Sequence, residues 1–171
     1  MRRLLLLRHA KSSWSSTASD DFARPLASRG REAAPRIGCY LREQGLVPDH
    51  VLCSTATRAR ETWALVEAEL GRTPEATYHD DLYLAEPAAM LALLRKVPDA
   101  ASTVMIIGHN PGMQVLALQL AGKDGGERAA EIARKFPTAG LAVFRCAATR
   151  WATAGKADFA LVEFARPREL S

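Results

Sequence analysis

Leu4–Leu7 and Val104–Ile107 are runs of four aliphatic residues with no polar break. Such runs are too short for helices, and they read as strands buried on both faces, as in a parallel sheet. Val51–Cys53 and residues 76–79 predict two further short strands. Between the strands the apolar positions change to helical spacing. Ala34, Ile37 and Leu41 mark a helix running from a Ser28 cap towards Gln44, with Gly45 as its stop. Pro35 removes a hydrogen bond inside that helix, so a kink or a separate first turn is expected. Ala59, Trp63, Val66 and Leu70 predict a second helix ending at Gly71. Pro87 fits the first turn of a helix through Lys96. Met113, Leu116, Ala117 and Leu120 line another, capped by Asn110, with Pro111 first and Gly122 at its end. Residues 127–135 form a short helix. The last third reads differently, as strands over 140–146 and 159–165 with no helix between them. The pattern predicts a three-layer α/β/α architecture, its mostly parallel sheet closed by an antiparallel edge.

Composition adds limits. The 171 residues, 48% apolar and 25% charged, suit one domain over residues 1–171 with a full-sized core. A net charge of +4 suits an anionic ligand, while the absence of a basic tract interleaved with aromatics argues against nucleic acid. No apolar stretch is long enough for a membrane span. The leucine run is too short for a signal-peptide core and is interrupted by His9 and Lys11, so a cytoplasmic location is expected. Cys39, Cys53 and Cys146 form no CxxC pair and read as reduced thiols. The serine-rich segment 12–24 reads as a surface loop near whatever site Arg8 and His9 serve.

The candidate chemistry lies where strands end. The first ends at Arg8-His9. The second ends at Ser54, and the next helix carries Arg58 in its first turn. The fourth ends at Gly108-His109-Asn110. In an open α/β sheet these endings share one edge. Arginine forks and helix N-termini there would suit a tetrahedral dianion. A metal centre fits less well: His9, His50, His79 and His109 show no HxxxH or HExxH spacing, and the arginines would repel a cation. A cysteine-phosphatase loop fits no better, because only four residues separate Cys53 from Arg58 and the segment has no glycines.

Leu7-Arg8-His9-Ala10-Lys11-Ser12, Arg24-Pro25-Leu26-Ala27-Ser28-Arg29-Gly30, the segment Ser54–Thr62 and Gly108-His109-Asn110-Pro111-Gly112 together resemble the histidine phosphatase superfamily, nearest its SixA-like phosphohistidine phosphatases. Ala10 stands where the superfamily usually has glycine. The resemblance implies a phosphoglycerate mutase-like fold and a metal-independent phosphatase without a cofactor. It also implies His9 as nucleophile and phosphohistidine carrier, with Arg8, Arg58, His109 and Asn110 on the phosphoryl group. Many members carry a glutamate in a Leu-x-Glu pattern after the third strand. Here the stretch is Leu82-Tyr83-Leu84-Ala85, so Glu86 and Asp21 become the candidate general acids, with Asp80, Asp81 and Asp20 less favoured. A site lacking that acid suits phosphohistidine, whose imidazole leaves more readily than an alkoxide. The expected partner is a phosphohistidine protein or a small phosphorylated metabolite. A small-molecule phosphomonoesterase and a non-catalytic phosphate-binding domain remain the alternatives. No pattern encodes the oligomeric state.

Overall fold

The computed structural model describes residues 1–14, 17–18 and 20–170. Residues 15, 16 and 19 of the expected 12–24 loop lie outside the described residues. The elements run β1 (Arg2–Arg8), α1 (Ser28–Glu43), β2 (His50–Ser54), α2 (Thr57–Glu67), β3 (Glu75–His79), α3 (Pro87–Leu94), β4 (Thr103–Gly108), α4 (Gly112–Ala121), α5 (Gly126–Arg134), β5 (Leu141–Cys146) and β6 (Phe159–Ala165). The sheet order is β3-β2-β4-β1-β5-β6. The first four of these strands are mutually parallel, and β5 and β6 extend the sheet antiparallel.

The unbroken leucine run follows from burial on both faces. Leu4 and Leu6 join one core with Met90 and Leu94 of α3, Met113 and Leu116 of α4, and Ile132 of α5. Leu5 and Leu7 join the opposite core with Ile37 of α1 and Trp63 of α2. Alternate residues of β1 thus meet different helical layers, and neither layer tolerates a polar side chain. Val104 with Ile106, and Met105 with Ile107, divide the same way on β4.

Local expectations were corrected at several ends. Ser28 does not cap α1: Ala27 holds the cap position without a side-chain bond, and its N–H is donated to Lys11 O at 2.9 Å. A tertiary bond there replaces the local cap. Gly30 allows this approach, since a β-carbon would meet Lys11 O at 2.2 Å. The first helix continues through Pro35, so its first turn is not separate. The second helix ends at Glu67, before Gly71, because Glu69 and Leu70 donate three residues back in a tightened turn. Asn110 lies two residues before α4, yet its Oδ1 accepts the Gln114 N–H at 3.2 Å. Among the described residues no helix is long and apolar enough to cross a membrane.

Candidate active site

The carboxyl ends of β1, β2 and β4 adjoin one another in the sheet. They border a cleft of about 320 Å³ whose lining includes Arg8, His9, Asp21, Arg58 and His109. His9 follows β1 and is fixed on both sides by backbone bonds. Its N–H is donated to Gly108 O at 3.1 Å, and its carbonyl accepts the Ala139 N–H at 3.0 Å. Thr62 ties the same turn to α2: its hydroxyl accepts the Ala10 N–H at 2.9 Å and donates to Arg58 O at 2.7 Å.

The ring of His9 has a defined tautomer. Nδ1 lies 2.8 Å from Ala10 O, and a carbonyl only accepts, so Nδ1 carries the hydrogen. The lone pair is left on Nε2, with the Arg58 Nε–H 3.4 Å away. Burial lowers the pKa of His9 to about 3, with His109, Arg58 and Arg8 adding repulsion of a proton. The imidazole is therefore neutral throughout the physiological range.

His109 is also neutral, its pKa lowered to about 4 by burial and by Arg58. Its Nε2 is 2.8 Å from Ser54 Oγ. That oxygen already accepts the Ala56 N–H at 3.2 Å, which leaves its own hydrogen free for His109 Nε2. In that arrangement Nδ1 of His109 is the donor. Among the described residues, His109 Nδ1 and Arg8 Nε are the buried side-chain polar atoms without a hydrogen-bond partner. Two orphaned donors beside a cationic cleft call for an anionic acceptor.

Arg58, only 2% exposed, is anchored by one residue. Its terminal nitrogens donate to Asp21 O at 2.8 Å and Asp21 Oδ2 at 3.0 Å. Asp21 Oδ2 also accepts from the Tyr83 hydroxyl, and Oδ1 accepts from Arg24 Nε at 3.0 Å. The Tyr83 hydrogen bond, then Arg24 and Arg58, hold the Asp21 carboxyl down at about 2. Asp21 is thus an ionised anchor, not a proton store at neutral pH. Glu86 is not brought to the site: it is exposed at the cap of α3 and outside the cleft lining. Asp80 accepts from Thr55 Oγ1 at 2.6 Å, and Asp20 caps the Ala23 N–H at 2.9 Å. Asn110 reaches the cleft edge, but its amide donates to Phe136 O at 3.1 Å and its oxygen serves Gln114.

Sequence reasoning passed over Tyr83, Thr62 and the Phe136 carbonyl, which also accepts from Arg8 at 2.9 Å. Tyr83 stands in the very stretch that lacks the Leu-x-Glu glutamate, and Thr62 closes the Ser54–Thr62 motif. A carbonyl oxygen carries no sequence signal.

A profile of the histidine phosphatase superfamily (branch 1) matches residues 4–83. Protein Rv1276c of Mycobacterium tuberculosis is 40% identical over 164 residues, 95% of this chain and all of that one. A solved structure from Nakamurella multipartitia, named there as a candidate phosphohistidine phosphatase SixA, is 32% identical with a TM-score of 0.84. It covers 97% of this chain and 96% of its own. A like-named structure from Agrobacterium tumefaciens is 30% identical with a TM-score of 0.82, covering 97% of this chain and 98% of its own. With this fold, cleft and ordered set of strand endings, the chain belongs to the SixA-like subgroup of the histidine phosphatase superfamily and is a phosphatase.

Proposed function

We propose that this protein, as one domain over residues 1–171, hydrolyses the phosphoramidate bond of protein phosphohistidine through a phosphohistidine intermediate on His9. The carrying observation is the locked neutral tautomer of His9, with its free Nε2 beside Arg58. That nitrogen would attack phosphorus. Arg8, Arg58 and the Nδ1–H of His109 would hold the phosphoryl oxygens and offset the charge that develops on them. A phosphoryl oxygen would also give the two orphaned donors their missing partner. Water then cleaves the P–N bond of the intermediate.

The leaving group favours phosphohistidine. An alkoxide needs a proton in the transition state, and among the described residues lining the cleft no neutral carboxylic acid supplies one: Asp21 is ionised and Glu86 lies elsewhere. An imidazole already protonated on its distal nitrogen leaves neutral. The names of the structures from N. multipartitia and A. tumefaciens point the same way. The test compares turnover of a labelled phosphohistidine protein with that of a sugar phosphate, each with the unaltered chain and with His9→Ala. Phosphate release from phosphohistidine, lost in His9→Ala, is expected. Faster hydrolysis of the sugar phosphate would overturn the assignment.

A further inference from the structure

We propose that Asp21 is a specificity-determining residue whose carboxylate accepts the distal ring N–H of a protonated imidazole leaving group. The site would thereby select phosphoramidates with a cationic nitrogen leaving group over phosphate esters. This inference rests on the phosphohistidine reading above and adds to it how the leaving group is recognised.

Asp21 is out of keeping with its surroundings. Among the described residues lining the cleft it is the sole carboxylate, facing Arg8, Lys11, Arg24 and Arg58. A negative group beside a bound dianion costs affinity, so its presence needs a return. Anchoring Arg58 is one return, but it does not exhaust the group. A carboxylate offers about four acceptor positions. Arg58 and Tyr83 fill Oδ2, whereas among the described residues Oδ1 receives Arg24 alone. One position on Oδ1 is left, and the side chain is 41% exposed, so a ligand can reach it. The carboxylate sits one guanidinium away from the attacking nitrogen, because Arg58 bridges His9 Nε2 and Asp21 Oδ2. An alkoxide or phenolate developing there meets a like charge. An imidazolium presents an N–H to it.

The chemistry balances without a proton passing through Asp21. The substrate ring carries hydrogen on its distal nitrogen and the phosphoryl group on the other. The lone pair of His9 Nε2 forms the new N–P bond. The old P–N pair returns to the leaving ring, which departs as neutral imidazole with its distal hydrogen still in place. His9, now phosphorylated and retaining its Nδ1 hydrogen, is cationic. Water oxygen then bonds to phosphorus, and the P–N pair returns to His9. Both water hydrogens leave with the product as dihydrogen phosphate.

The experiment is the ratio of kcat/KM for phosphoimidazole to that for p-nitrophenyl phosphate, whose phenolate leaves unprotonated. Asp21→Asn should lower both values through the weakened Arg58 anchor, and that shared loss divides out. The ratio itself should fall about tenfold or more, the size of one charge-assisted hydrogen bond. Asp21→Glu should keep the ratio near that of the unaltered protein. A second arm needs no variant: methylating the distal nitrogen of phosphoimidazole removes the N–H but keeps the charge. Turnover by the unaltered protein, relative to the uncatalysed rate, should then fall about tenfold. An unchanged ratio in Asp21→Asn, or equal relative turnover of the methylated substrate, would overturn the inference. Failure of the phosphohistidine reading looks different: the unaltered protein would turn over neither phosphoimidazole nor phosphohistidine.

Discussion

The buried histidines should make this protein sensitive to mild acid, and His9 allows the effect to be sized. In the unfolded chain a histidine titrates near its ordinary value of about 6.5. In the folded protein His9 is 6% exposed and its pKa is lowered to about 3. The folded-state pKa is depressed, so the unfolded chain binds the proton first as the pH falls. Stability is therefore full above about pH 6.5 and is lost progressively towards about pH 3. Near pH 5 the unfolded side chain is about 97% protonated and the folded one about 1%, which corresponds to a loss of about 2 kcal/mol. His109 and His79 shift in the same direction, so the whole protein loses more than this. Asp21 adds little near pH 5, because a carboxyl lowered to about 2 loses its contribution mainly below its unfolded value of about 3.9, where it reinforces the loss from the histidines. The share of His9 is isolated by His9→Asn. Urea unfolding of both proteins near pH 7.5 and near pH 5 should show the variant losing about 2 kcal/mol less. Equal losses would refute the burial argument for a neutral His9.

Three further outcomes follow from other contacts. Thr62→Val leaves the buried Ala10 N–H without an acceptor; a loss of about 1–3 kcal/mol in urea unfolding is expected, with slower turnover as the turn after His9 loosens. Gly112→Ala puts a β-carbon 1.8 Å from Ala85 O; destabilisation of about 1–3 kcal/mol is expected, and an unchanged Tm would contradict this contact. Inorganic phosphate should stabilise the unaltered protein by about 2.7 kcal/mol at one hundred times its Kd, and at the same concentration should raise the Tm of Arg58→Ala much less.

Much of this architecture is legible because local pattern and tertiary demand agree. Leu4–Leu7 shows no alternation because both faces of β1 meet apolar helices. Arg8, His9, Arg58 and His109 could be grouped because each lies at or shortly after the end of one of three neighbouring strands. The illegible parts depend on irregular chain. Tyr83 and Asp21 lie 62 positions apart, and neither belongs to an element whose period predicts their meeting. Ala139 takes a φ of 59° with no glycine to announce it, and its N–H is shared by the carbonyls of Arg8 and His9. At α1 a propensity argument for Ser28 lost to one long-range bond, Ala27 to Lys11.

The central position of β1 has a consequence for the order of events in a growing chain. The strand that leads into His9 is made before β4 and β5, yet Arg3 is paired with Thr103 on one side and Arg145 on the other. Its edges stay open until far more distant segments arrive, and each such closure carries an entropic cost that delays it. The Phe136 and Ala139 contacts that brace Arg8 and His9 come later still than β4. Phosphatase activity should therefore appear only after β5 has docked, so a nascent chain carries His9 long before the proposed site around it is assembled.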